Sequence, residues 1–101
     1  MAIHGVRVLR EALADLMDVS AFYEERQPGT GDIFWDSLLA DLDRLMVYGG
    51  IHVKIEGFHR MLARRFPYAI YYSVADDVAT VAAILPMRRE PKSIRDQLVT
   101  R

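Results

Sequence analysis

No cysteine occurs in the 101 residues, which excludes disulfides and thiolate metal sites and suits a reducing compartment. Histidine is scarce: His52 and His59 stand seven apart, with no thiolate or third imidazole nearby. That spacing argues against a metal site, so neither a metal nor a cofactor is expected. No apolar run approaches the roughly 20 residues of a membrane span, and Met1–Arg7 lacks signal-peptide architecture. A cytoplasmic setting without a membrane partner follows as the expectation. Gly29-Thr30-Gly31 lacks the lysine and preceding strand of a phosphate-binding loop. After Tyr72 the chain holds no histidine and no aromatic residue, which removes the usual proton carriers from its last third.

What is present is charge, unevenly divided. Residues 1–51 carry four basic and nine acidic side chains, a net of −5. Residues 52–101 carry nine basic and five acidic ones, a net of +4. Such asymmetry predicts either a basic face for an anionic partner or two halves of one small domain that attract each other. The length specifies one domain, residues 1–101, with a core of its own.

Val6–Leu9 reads as a short edge strand. From Glu11 the apolar period becomes helical, with Ala12, Leu16, Val19 and Tyr23 on one stripe and Glu11, Asp15, Asp18 and Glu25 opposite. Pro28-Gly29-Thr30-Gly31 breaks that helix, and Thr30 or Asp32 is expected to cap the next, over Asp32–Tyr48. Phe34, Leu38, Leu42 and Leu45 form its stripe, with Asp43 and Arg44 away from it, and Gly49-Gly50 stops it. After Gly57 the period becomes that of strands: Phe58–Phe66, Tyr68–Ala75 and Ala79–Leu85, with Asp76-Asp77 as a hairpin turn. Pro91 sits near the start of a short C-terminal helix or tail. The expected class is α+β in the order β-α-α-β-β-β. An N-terminal edge strand, an antiparallel helical hairpin and a three-stranded antiparallel meander complete a four-stranded sheet.

Arg64-Arg65-Phe66-Pro67-Tyr68-Ala69-Ile70-Tyr71-Tyr72 sets a basic pair against an aromatic strand, with a proline at the strand start or a bend. Together with Ala12-Leu13-Ala14-Asp15-Leu16, Pro28-Gly29-Thr30-Gly31 and Arg88-Arg89-Glu90-Pro91, this order resembles the RelE/ParE superfamily of type II toxin–antitoxin toxins. The likeness spans residues 6 to about 95. It implies a small bacterial toxin neutralised by a cognate antitoxin that wraps around it. ParE-like members poison DNA gyrase, whereas RelE-like members cleave mRNA on the ribosome, and fold alone does not choose between them.

Metal-free RNA cleavage needs a base, an acid and cations at one phosphate. Cations are plentiful in Arg60, Arg64, Arg65, Arg88 and Arg89, the residues expected to bind a target or partner. Strand alternation from Phe58 puts Arg60 and Arg64 on one face and Arg65 on the other. The acid–base candidates are Glu56 and His59, to act with Arg60 and Arg64, while the loop after the last strand, where RelE-like nucleases carry a histidine or tyrosine, reads Pro86-Met87-Arg88-Arg89. The balance favours a ParE-like gyrase inhibitor over a RelE-like endonuclease or a non-toxic interaction module. Surface too apolar for a free monomer is expected on the sheet or the hairpin, with Met61, Met87 and Leu98 as candidates and self-association in the antitoxin's absence.

Overall fold

The computed structural model describes residues 3–88 and 91–101. The chain runs β1 (Gly5–Val8), α1 (Arg10–Arg26), α2 (Thr30–Asp43), α3 (Leu45–Tyr48), β2 (Lys54–Ile55), β3 (Phe58–Leu62), β4 (Tyr68–Ala75), β5 (Val78–Pro86) and α4 (Pro91–Val99). The class is α+β, but the sheet has five strands rather than the four expected, in the order β1-β5-β4-β3-β2. The additional strand is β2, paired through Lys54↔His59 and Ile55↔Phe58 across the tight turn at Glu56-Gly57. Two residues are too few to show a period in sequence, which is why the meander looked three-stranded. The sheet is mixed, because β1 lies parallel to β5 from Gly5↔Val78 to Val8↔Val81 and the other neighbours are antiparallel.

The hairpin of α1 and α2 packs on one face of the sheet. Ala12, Leu16, Phe34, Leu38 and Leu45 meet Met61, Ile70, Tyr72 and Val81 there, all at 1% exposure or less. Tyr23, Phe34, Phe66 and Tyr68 form an aromatic cluster with ring centroids 5.1–5.5 Å apart. Each such pair adds about 0.5–1.5 kcal/mol beyond the area it buries. Alternation sends Ala69, Tyr71, Ala83 and Leu85 to the opposite face, where Ile94 and Leu98 of α4 cover them. Met61 and Leu98, expected at the surface, therefore belong to the core, while Met87 is 37% exposed.

Local chemistry explains several departures from the expected elements. Neither Thr30 nor Asp32 caps α2; the Glu24 carboxylate reaches across from α1 and accepts the N–H groups of Gly29 and Gly31 at 3.0–3.1 Å. Gly31 is required there, since a Cβ would lie 2.7 Å from the Ser20 carbonyl oxygen. The helix expected through Tyr48 divides at Arg44, whose N–H is shared between the Ala40 and Asp41 carbonyls. The strand expected through Phe66 ends at Leu62, and a bend over residues 64–67 carries the chain into β4. Asp76 and Asp77 adopt φ of 52° and 62°, forming the expected two-residue turn between Ala75 and Val78.

Asp15, expected on the solvated side of α1, instead closes an open sheet edge. β1 ends at Val8, so β5 beyond Val81 has no strand on that side. Asp15 accepts the Ile84 N–H at 3.0 Å and both terminal nitrogens of Arg101, while Arg101 donates to the Ala82 carbonyl. Backbone groups that a longer β1 would have paired are satisfied by side chains. The same carboxylate holds the Arg101 guanidinium above its ordinary pKa.

Candidate functional site

The bend at residues 64–67 and the end of β5 are neighbours, since Met87 N–H donates to the Pro67 carbonyl at 3.0 Å and Tyr68 pairs with Pro86. Arg64, Arg65 and Arg88 are thereby gathered, exposed, at one end of the sheet. Pro67, Tyr68, Pro86 and Arg88 line a shallow cleft of about 270 Å³ there. Burial, next to Tyr23, pushes the Tyr68 hydroxyl above its ordinary pKa. Arg89 lies outside the described residues.

Two anchors fix the arginines. The Asp41 carboxylate, buried to 1% exposure on α2, pairs with Arg44 at 2.9 Å and accepts the Arg64 backbone N–H at 3.3 Å. Arg60, half-buried on β3, stands opposite Tyr71, and its Nε donates to the Tyr71 hydroxyl at 3.2 Å. Because β3 ends at Leu62, strand alternation does not reach Arg64 or Arg65 and no longer orders them against Arg60.

The proposed acid–base residues lie elsewhere. Glu56 sits in the β2–β3 turn, at the end of the sheet away from Arg64, and faces Arg95 of α4 at 3.7 Å. His59 is on the hairpin side, stacked on Tyr72 with ring centroids 5.0 Å apart, whereas its neighbour Arg60 is on the α4 side. The Nδ1–H of His59 donates to the His52 carbonyl at 2.6 Å. Glu56 and His59 thus have separate partners, and neither is brought beside Arg64.

The helical hairpin carries a surface that periodicity hid. Leu13, Met17, Phe22, Ile33 and Leu39 are all more than 40% exposed, although Leu13 and Leu39 read as extensions of the buried stripes. Met17, Ala21 and Trp35 line an open groove of about 450 Å³ between α1 and α2, with Gly31 buried at its base and the exposed Glu24 and Asp32 on its rim. The basic end of the sheet and this acidic-rimmed apolar groove are two surfaces suited to partners. No helix among the described residues is long and apolar enough to cross a membrane.

By sequence, no family model and no curated protein matches the chain. By backbone shape it is similar to a chain of the structure titled "Chromosomal ParDE TA system from P. aeruginosa", with a TM-score of 0.74 and 15% identity. The match covers 83% of this chain and 96% of that one. The protein therefore shares its fold with that chain of a ParDE toxin–antitoxin system.

Proposed function

We propose that residues 1–101 are a single toxin domain of a bacterial type II toxin–antitoxin module, working in the cytoplasm as a ParE-like inhibitor of DNA gyrase and neutralised by a cognate antitoxin. The observation that carries this reading is the backbone likeness to a chain of a ParDE toxin–antitoxin system over 96% of that chain. The apolar groove with its acidic rim is the antitoxin's docking surface and favours an amphipathic helix bearing basic residues. Arg60, Arg64, Arg65 and Arg88, with Arg89 beside them in sequence, face the target. The placement of Glu56 and His59 away from Arg64 favours inhibition by binding over an acid–base RNA cleavage.

Induced expression in a bacterial host tests the class: growth arrest that co-expressed antitoxin relieves is the expected outcome. Growth without arrest would leave an interaction module lacking toxicity. Relaxed plasmid DNA in arrested cells supports gyrase as the target, and new mRNA 5′ ends with normal supercoiling would point to the ribosome instead.

A further inference from the structure

The segment Gly49–Val53, between α3 and β2, is tied at its ends by backbone bonds, Gly49 N–H to the Leu45 carbonyl and Arg60 N–H to the Val53 carbonyl, both at 2.9 Å, and its middle is held against the sheet by side chains that share one phenol. Tyr72 of β4 is fully buried. Its oxygen accepts the Gly50 N–H at 2.9 Å and lies 2.5 Å from Nδ1 of His52. With a backbone N–H already donating to the oxygen, the arrangement that also gives the buried hydroxyl proton an acceptor is donation to an unprotonated His52 Nδ1. His59 of β3, stacked on the same phenol, donates its Nδ1–H to the His52 carbonyl, tying the segment at a third point. Ile51 and Val53 on this segment are 73% and 68% exposed, so apolar packing does little to hold it and the polar contacts decide.

We propose that His52, Tyr72 and the Gly50 amide form a pH-sensitive latch, which fastens Gly50–His52 to the sheet while His52 is neutral and releases it on protonation. A proton on Nδ1 sets an N–H against the Tyr72 O–H, leaving one donor at a fully buried phenol without an acceptor. The groups facing His52 oppose the added charge. Arg44 approaches from the α2–α3 junction, with its guanidinium paired to Asp41, and His59 approaches from β3. Burial lowers the His52 pKa from 6.5, and Arg44 and His59 lower it further. The unfolded or released segment thus takes up its proton more readily than the latched one. The latch is fully held above about pH 6.5 and weakens as pH falls below it. The bond from His59 to the His52 carbonyl is a tie that release must also break. Release bares the ring of Tyr72 beside Ile51 and Val53 and makes one larger apolar surface.

Amide exchange at Gly50, measured by NMR between pH 7.5 and 5.5 and corrected for the intrinsic rate, tests this. Protection should fall about three- to tenfold on acidification, the equilibrium equivalent of one hydrogen bond, while the Ile70 amide in β4 keeps its protection. In His52→Asn the side-chain oxygen replaces Nδ1 as a neutral acceptor, and Gly50 should stay protected at both pH values. In Tyr72→Phe, Gly50 should be unprotected at both. Gly50 protection independent of pH in the wild type, or the same pH dependence in His52→Asn, would overturn the latch.

Discussion

Replacing Asp41 by alanine should be among the most damaging single changes in the hairpin. The carboxylate is 2% exposed as a side chain and meets the Arg44 guanidinium at 2.9 Å. Its second oxygen accepts the Arg64 N–H at 3.3 Å, joining α2 to the bend that carries the basic cluster. Truncation removes the ion pair and a longer hydrogen bond from the Arg64 N–H to the same carboxylate, and leaves Arg44, whose Nε is already buried without a partner, uncompensated. Breaking a fully buried pair costs about 3–5 kcal/mol. Arg44 keeps 25% of its side chain in water, so the expected loss is lower, about 2–3 kcal/mol. In a domain of this size that lowers Tm by roughly 8–20 °C. Urea unfolding of Asp41→Ala, Arg44→Met and the double variant measures it. The double variant should be less destabilised than the sum of the singles by at least about 1 kcal/mol, since removing both charges leaves neither stranded. A loss below about 0.5 kcal/mol in Asp41→Ala, or strict additivity, would refute the reasoning.

Further expectations concern the other fastenings. Asp15→Asn should cost about 1–3 kcal/mol in chemical denaturation, because the Ile84 N–H and Arg101 lose a charged acceptor at the open edge of β5. Gly31→Ala should lower Tm measurably, since its Cβ would meet the Ser20 carbonyl at 2.7 Å and backbone there has no room to give. Asp77→Gly should be neutral or stabilising by up to about 1 kcal/mol, since φ of 62° suits glycine better than aspartate; a clear loss would mean that the Asp77 side chain has a stabilising contact. Met17→Lys, which puts charge on the apolar lining of the groove, should leave folding intact and weaken antitoxin capture in a pull-down by tenfold or more.

The long elements were legible because their periods are unambiguous. Ala12, Leu16 and Tyr23, then Phe34, Leu38 and Leu42, recur at helical spacing, and Tyr68, Ile70 and Tyr72 alternate cleanly. The turn at Asp76-Asp77 was legible for the same local reason. What escaped was short or non-local. β2 has only two residues, and the parallel partner of β1 lies some seventy residues downstream. Asp15 and Asp41 look like ordinary helix-surface acids until the chain folds back and supplies Ile84, Arg101 and Arg64. Leu13 and Leu39 lie beside the apolar stripes of α1 and α2, yet the fold leaves both exposed. At the candidate site, the arginines stand out as a set in the sequence, but their arrangement depends on where β3 stops. His52 and His59 were set aside as an unlikely metal pair, and only the fold shows that Tyr72 stands between them.

The most direct measurement is supercoiling by purified gyrase in the presence of excess purified protein. The account predicts dose-dependent loss of supercoiling that antitoxin reverses, and that a folded variant with Arg64, Arg65 and Arg88 replaced by serine fails to produce. Undiminished supercoiling at excess wild-type protein would contradict it.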